Sequence, residues 1–288
     1  MLTGGTTTAV LLDGDLLATR LRATLAVEVA GLVSRGIAPL LATVTVGDDP
    51  TTLAYMGRKH GDCAAVGIAS RDLRFPSNVT DSALRDCIAL LNDDAAVTAL
   101  SLQIPLPVHL DAARLVLATD PAKDADAKHP LTLGRLAWRL PAPRPCTAAG
   151  VLALLKDQRV PLAGRRILLV GRGFFTGLPL MTMLSAPGVD GVVTIAHRQA
   201  KELGALTKES DVVISAAGQP DLISASMVKP GAAVLGVGIS YVDGTMVSDI
   251  ADDVASVAGF VTPRHGSIGA LTRAMLLRNV VDIARGRE

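Results

Sequence analysis

Tyr55 and Lys59 stand four residues apart in a stretch that reads as a helix, so both side chains leave from one face. A tyrosine ring can stack on a flat heterocycle, and a lysine amine can relay protons once burial lowers its pKa. Gln103, at the end of an apolar run, could hold that amine or a substrate amide, and Asp126 adds a carboxylate. Each residue also has an ordinary reading. Tyr55 could be core, Lys59 a solvated helix lysine, Gln103 a strand-end amide satisfied by backbone, and residues 123–126 an exposed charged turn.

A second cluster follows the apolar run 167–170, which has the length of a buried parallel strand. Gly171, Gly173 and Gly177 come next, and residues 178–184 read as a helix. Strand, glycine turn and helix together aim backbone N–H groups and a helix N-terminus at a phosphate. The spacing G-x-G-x-x-x-G is one residue longer than the usual dinucleotide fingerprint, so the glycines need their context. A further strand, 191–196, ends where an NAD enzyme carries the acid for its ribose, about 20 residues on, and here reads His197-Arg198. Arg198, with Arg172 in the loop, suits a ribose 2′-phosphate and favours NADP over NAD. A structural glycine turn with solvated arginines is the alternative.

The elements that must position these residues alternate. Residues 10–12 read as a short strand, and Asp15 is placed to cap a helix to about Ser34, stopped by Gly36. A β-branched strand at 39–46 runs into Gly47-Asp-Asp-Pro50. This puts Asp48 and Asp49 at its carboxyl end, Asp49 as N-cap and Pro50 first in a helix that ends at Gly67. Strands near 69–73 and 97–103, with helices near 81–91 and after Asp111, complete a first α/β domain. Helices at 131–139 and 147–157, with prolines between them, lead to the glycine loop. Strands near Val192, Val212, Ala233 and Phe260 follow, then a closing helix with Ala274, Leu277 and Val281 on one face. The fold expected is α/β in two domains, the second of Rossmann type. In open parallel sheets ligands bind outside the carboxyl ends of the strands, where all these candidates fall.

Composition excludes other classes. The net charge of +1, with both signs interspersed, leaves no electrostatic footprint for nucleic acid or an anionic membrane. Charges, glycines and prolines interrupt every apolar run short of a membrane span, and the start Met1-Leu-Thr-Gly-Gly-Thr lacks the basic residues of a signal peptide. Cys63, Cys87 and Cys146 offer no disulfide framework or zinc spacing, and His60, His109, His129, His197 and His265 show no ligand pairing. A soluble cytoplasmic protein without metal is expected.

The motifs, in collinear order, resemble the bifunctional methylenetetrahydrofolate dehydrogenase/cyclohydrolase (FolD) family. Val46-Gly-Asp-Asp-Pro-Thr-Thr-Leu-Ala-Tyr-Met-Gly-Arg-Lys59 is similar to VGDDPAS-x-x-Y-x-x-x-K, and Gln103-Ile-Pro-Leu-Pro107 to QLPLP. Pro121-Ala-Lys-Asp-Ala-Asp126, His129-Pro130 and Gly134-Arg-Leu136 resemble PxKDVDGFHPxNxGRL; Pro145-Cys-Thr147 with Gly150-Val151 resembles PCTPxGV. The glycine stretch resembles GRSxxVGxP, and Ala274-Met-Leu-Leu277 with Asn279 resembles AMLLxN. The resemblance implies a folate-binding catalytic domain over 1–140 and 268–288 and a Rossmann-type NADP-binding domain over 141–267, with the last helix returning to the first domain. It implies oxidation of 5,10-methylenetetrahydrofolate to the methenyl form with NADP (NAD being the other possible acceptor), then hydrolysis to 10-formyltetrahydrofolate. Tyr55 would stack on the pterin and Lys59 be the general acid/base, positioned by Gln103. Asp126 would bind the pterin edge, with His265 and Gly266 bordering the substrate. Gly171, Arg172, Gly173, Gly177, Pro179, His197, Arg198, Ala217, Gly218 and Ile239 would hold the nucleotide, in a homodimer formed through the dinucleotide domains.

Departures fall in places that matter. The family's TPVPGGVGPMT loop reads Thr262-Pro-Arg-His-Gly-Ser-Ile-Gly-Ala-Leu-Thr272, so Arg264, His265, Ser267 and Ala270 replace small or rigid residues, and Arg264 and His265 would add bulk and polarity to that wall. DVDG has become Asp124-Ala-Asp-Ala127, which would restrict the turn after the carboxylate. GRS has become Gly171-Arg-Gly173, and DVGI reads Gly236-Val-Gly-Ile239. Two alternatives therefore stand beside the bifunctional enzyme: a specialised paralogue with one activity or an altered one-carbon substrate, and a nucleotide-binding protein without turnover.

Overall fold

A computed structural model describes residues 9–242 and 244–286, so the Met1-Leu-Thr-Gly-Gly-Thr start lies outside the described residues. The chain begins with β1 (Val10–Leu11), α1 (Gly14–Val33), β2 (Leu40–Val46), α2 (Pro50–Val66), β3 (Ala69–Phe75) and α3 (Asp81–Asp93). It continues with β4 (Ala99–Leu102), α4 (Ala112–Ala118), α5 (Pro130–Ala137), α6 (Cys146–Asp157), β5 (Arg166–Val170), α7 (Gly177–Leu184) and β6 (Val192–Ala196). Then come α8 (Leu203–Lys208), β7 (Val212–Ser215), β8 (Ala233–Gly236), β9 (Ile239–Val242), β10 (Thr245–Ser248), β11 (Phe260–Val261) and α9 (Ile268–Arg285). Two compact units result: Ala18–Cys146 with the chain from Thr272 onward, and Thr147–Leu271 with the chain up to Leu17. Among the described residues no helix is long and apolar enough to cross a membrane.

The first unit holds a three-stranded parallel sheet in the order β3-β2-β4. Central β2 is buried on both faces, as its Leu-Leu-Ala-Thr-Val-Thr-Val sequence requires. Leu41 packs with Leu25, Val29 and Leu32 of α1, Cys63 and Val66 of α2, and Leu276, Leu277, Val280 and Val281 of α9. Ala42 and Val44 pack in a second core with Leu84, Ile88 and Leu91 of α3 and Leu115 of α4. The closing helix thus returns to the first sheet, with Ala274, Leu277 and Val281 buried. Helix α2 starts and stops as its residues dictate. The Asp49 carboxylate accepts the Thr52 N–H at 2.7 Å, and Gly67 closes the helix at φ +82°.

The second unit carries a six-stranded parallel sheet in the order β1-β11-β8-β7-β5-β6. Strand β1, grouped by the sequence pattern with the first domain, instead pairs with β11. Two residues are too few to signal which sheet they join. At the start of α1, Asp13 rather than Asp15 accepts the Leu16 N–H, at 2.9 Å, while the Asp15 carboxylate accepts the N–H of Ser267. Strand β5 has β6 on one side and β7 on the other, so the chain direction of the winding reverses at its carboxyl end.

Candidate functional site

In the first unit the predicted polar residues converge. Lys59 lies one turn beyond Tyr55 on α2, its Nζ 5.6 Å from the centre of the tyrosine ring and its side chain buried. The ammonium donates to Ser101 Oγ at 3.0 Å and to Gln103 Oε1 at 3.5 Å. Ser101 Oγ in turn donates to Asp126 Oδ2 at 2.8 Å, so Lys59, Ser101 and Asp126 form one continuous chain. Ser101 on β4 and Gln103 just past it share a face, as residues two apart on a strand do. Gln103 is oriented by donating its Nε2 to the Ile104 carbonyl at 2.8 Å.

The 123–126 turn is not an exposed charged loop. Lys123 and Asp124 are buried, and Lys123 Nζ donates to the carbonyls of Leu91, Asn92 and Asp94, closing the end of α3. The turn is stitched to β4 by Leu100 N–H to the Lys123 carbonyl (2.7 Å) and Ala125 N–H to the Leu100 carbonyl (3.0 Å). From α9, Asn279 donates to the Ala125 carbonyl at 2.8 Å, which fixes the backbone beside Asp126. Ala127 takes φ +58°, a conformation that costs an alanine roughly 1 kcal/mol and that the glycine of the family motif adopts freely.

Burial lowers the Lys59 pKa below the usual lysine range; Asp126 pulls it back up and the Lys128 ammonium pushes it down again. For Asp126, burial alone would raise the carboxyl, but Lys128, Lys59 and the Ser101 hydroxyl outweigh it and hold the group below its usual range. Asp124 is pushed up to about 6 by burial, although it accepts the His129 N–H at 2.7 Å. Burial also raises Tyr55. An ionised carboxylate thus lies one hydroxyl away from an amine that sheds its proton readily, and such a pair can move a proton at a bound heterocycle.

Lys128, like Ser101, belongs to this cluster and was not singled out in the sequence. Its Nζ donates to Asp126 Oδ2 at 3.1 Å and to the Leu102 carbonyl at 2.9 Å. The available signal was a basic residue standing where DVDGFHP has phenylalanine.

In the second unit the glycine loop follows β5 at the sheet's reversal point. Gly171 has φ +117°, and a Cβ there would lie 2.5 Å from the Ala216 carbonyl oxygen. A Cβ on Gly177 would collide with the Gly171 carbonyl and lie 2.9 Å from Arg172 Cα, whereas one on Gly173 meets nothing within 4 Å. Two of the three glycines are therefore steric requirements of a tight cradle, which leaves room for a phosphate at the start of α7 and fits a dinucleotide. Pro179 is buried within the first turn of α7, where no backbone N–H is needed. Arg172, Gly173 and Arg198 are exposed, while half-buried His197 uses Nδ1 to accept the Gln199 N–H at 3.2 Å.

The Ala217–Gly218 loop after β7 is held from within by a residue that the sequence reading passed over. Asp249 is fully buried; its Oδ2 accepts Ser215 Oγ (2.7 Å), Ala217 N–H (2.8 Å) and Gly218 N–H (3.2 Å), and its Oδ1 accepts Gln219 N–H (2.9 Å). Ser240 Oγ on β9 ties the Gly218 carbonyl at 2.7 Å, next to exposed Ile239.

Arg264 does not stand as a loose charge. Its guanidinium pairs with Asp221 at 3.0 and 3.4 Å and with Asp252 at 3.0 Å. His265 is exposed, and at Gly266 (φ +86°) a Cβ would run into the Asp15 carboxylate. Ser267 sits at φ +69°, and its side chain compensates for that backbone: Oγ donates to the Leu12 carbonyl and accepts the Gly14 N–H, both at 3.1 Å.

Residues 12–126 match the model for the tetrahydrofolate dehydrogenase/cyclohydrolase catalytic domain, and residues 145–288 match that for the NAD(P)-binding domain of the same family. Among solved structures, the bifunctional FolD methylenetetrahydrofolate dehydrogenase/cyclohydrolase of Campylobacter jejuni is 34% identical over 97% of this chain and 100% of that chain, with a TM-score of 0.94. The Trypanosoma brucei FolD, solved with NADP and an inhibitor, is 34% identical over 97% of this chain and 98% of its own, at 0.92. The bifunctional enzyme of Thermoplasma acidophilum is 26% identical over 96% of this chain and 98% of its own, at 0.89. The chain belongs to the tetrahydrofolate dehydrogenase/cyclohydrolase family.

Proposed function

We propose that this protein oxidises 5,10-methylenetetrahydrofolate to the methenyl form with NADP and hydrolyses the methenyl form to 10-formyltetrahydrofolate. The observation that carries the reading is the buried Lys59–Ser101–Asp126 chain, with Gln103 on the amine and the Tyr55 ring over it. We assign the folate chemistry to the unit containing Ala18–Cys146 and the nucleotide to the unit containing the glycine loop.

When bound, NADP supplies the acceptor for the hydride. Gly171, Gly173, Gly177 and Pro179 shape its cradle, Arg172 and Arg198 take the 2′-phosphate, and His197, Ala217, Gly218 and Ile239 complete the walls. Tyr55 stacks on the pterin and Asp126 accepts from its N–H edge. The methenyl carbon, bonded to two nitrogens and cationic, is already electrophilic, so hydrolysis needs an oriented water and a proton relay. Lys59 as the free amine takes a proton from the attacking water while the C–O bond forms. It then returns that proton to N5 as the C–N5 bond breaks, while the hydroxyl proton leaves to solvent as the formyl C=O forms, so one proton is released overall; Gln103 holds the amine in place.

The test is a spectrophotometric time course with purified protein, 5,10-methylenetetrahydrofolate and NADP or NAD, reading reduced cofactor together with methenyl build-up and decay. Reduction with NADP preferred and little lasting methenyl is expected. Persistent methenyl would leave only a dehydrogenase, and no reduction with either cofactor would overturn the reading.

For the cofactor's phosphate, Arg198→Ser or Arg172→Ala should raise the KM for NADP at least about tenfold while barely moving that for NAD, since a charged contact contributes roughly 1.5–3 kcal/mol. Equal losses for both nucleotides would remove the arginines from that role.

We also propose a homodimer through the nucleotide-binding unit. Ile239, Tyr241 and Val242 expose apolar side chains on the β9 strand, and β6, with exposed Val192, is a sheet edge. Sedimentation should give twice the chain mass, and Tyr241→Asp should shift it toward the monomer; a wild-type monomer at micromolar concentration would refute it. We place the protein in the cytoplasm, a reading supported by three free thiols at Cys63, Cys87 and Cys146 and checked by cell fractionation.

A further inference from the structure

We propose that Lys128 is a positioning residue of the folate site: held between Asp126 and the Leu102 carbonyl, it fixes the carboxylate and places a second positive charge beside the Lys59 amine. The inference rests on the folate reading of this unit. Asp126 is one carboxylate serving two lysines, directly to Lys128 at 3.1 Å and through Ser101 to Lys59. One negative charge cannot compensate two ammonium ions in a buried cluster, so the cluster sheds a proton most cheaply from the worse-placed amine.

Geometry decides which amine that is. Lys128 has the direct ion pair, a backbone carbonyl as second acceptor and a side chain 19% exposed to water. Lys59 is 3% exposed and donates to a hydroxyl and an amide oxygen, neither of them charged. Lys59 is therefore the amine that sheds its proton the more readily. The other groups around Lys59 do not reverse this. Cys63 on the same helix and Cys146 are thiols that burial keeps protonated, Cys63 being pushed up to about 12. Tyr55 stays neutral for the same reason, and Arg273, 5.9 Å from the Tyr55 ring, is paired with Asp62 at 2.6 Å. Neighbouring His60 faces away to Thr43 and Ser70, with Asp72 beyond. Asp124 is occupied by the His129 N–H.

A neutral Lys59 is the form that accepts a proton from water. Lys128 thus extends hydrolysis to lower pH than a phenylalanine there would allow, and it draws Asp126 Oδ2 toward itself. Removing the Lys128 charge makes Lys59 easier to protonate, so the acid limb of hydrolysis must move to higher pH.

The experiment compares Lys128→Met, Lys128→Phe and Lys128→Arg with wild type in two readouts. One is the pH–rate profile of methenyltetrahydrofolate hydrolysis; the other is a carbon-13 NMR titration of the lysine ε-carbons in protein without folate. In the Met and Phe variants the acid limb and the Lys59 titration should both rise by roughly half to one pH unit, and the Arg variant should keep both near wild type. Packing loss alone would lower the rate at every pH without moving either midpoint. Wild-type midpoints in a folded Met or Phe variant would overturn the proposal. Should wild type fail to hydrolyse methenyltetrahydrofolate, the proposed activity falls, and the NMR titration still decides whether Lys128 acts on Lys59.

Discussion

Lys59→Met is expected to lower methenyltetrahydrofolate hydrolysis by roughly a hundred- to ten-thousand-fold, the range that a positioned general acid/base contributes. The substitution is chosen for its shape. Methionine matches the unbranched lysine stem and replaces a buried ammonium by an apolar group, so the core around Met56 and Cys63 keeps its packing. Asp126 is not left as an unpaired buried charge, because Lys128 and Ser101 still bond it. Folate binding should therefore survive, with Tyr55 and Asp126 in place, and the variant should fold with wild-type circular dichroism. Decay of methenyl absorbance in the presence of saturating variant enzyme is the measurement. Hydrolysis within a few-fold of wild type would remove Lys59 from the relay. Loss of folate binding in step with activity would make it a binding residue instead.

The parts of this site that the sequence made legible are those whose chemistry is local. Asp49-Pro50 and Gly67 bracket α2 by capping rules alone, and that bracket puts Tyr55 and Lys59 on one face. The apolar run ending at Gln103 gave the strand that brings the amide beside the amine. What stayed hidden depends on long-range closure. Ser101, the middle of the proton chain, looks in sequence like any small residue of a buried strand; only the approach of the 123–126 turn gives it Asp126 as partner. Asp249 is likewise just an acid near a hairpin until the fold brings it under the Ala217–Gln219 backbone. Helix α8 and the β9–β10 hairpin escaped for a related reason. Leu-Gly-Ala-Leu-Thr-Lys and the four-residue strands are too short for periodicity to separate them from loop. The departures in the 262–267 loop were visible in sequence, but their consequence was not. Arg264 brings a charge whose effect is cancelled by Asp221 and Asp252, and Ser267 brings a side chain that bonds the start of α1. These substitutions are accommodated by partners elsewhere in the chain, which favours a working site over a decayed one.

The three loop glycines, which look equivalent in sequence, should separate cleanly under substitution. Gly177→Ala is expected to cut NADP reduction by on the order of a hundredfold, because a displacement of about 1 Å at a positioned group can cost that much. Its Cβ would meet the Gly171 carbonyl and Arg172 Cα, which are backbone atoms and cannot swing aside as a side-chain tip would. The loop must open, carrying Arg172 and the N–H groups at the start of α7 away from the phosphates they are proposed to hold. Gly173→Ala faces open space at an ordinary φ, so its loss should be at least about tenfold smaller, on the scale of a surface change of half a kcal/mol. Hydrolysis of methenyltetrahydrofolate supplied directly reports on the other unit, and it should stay near wild type in both variants. If instead the two alanines cost the same, the tight contact between Gly171 and Gly177 is not what shapes the cradle. If hydrolysis falls with reduction in Gly177→Ala, the damage is global unfolding, which a melting curve on the same sample identifies.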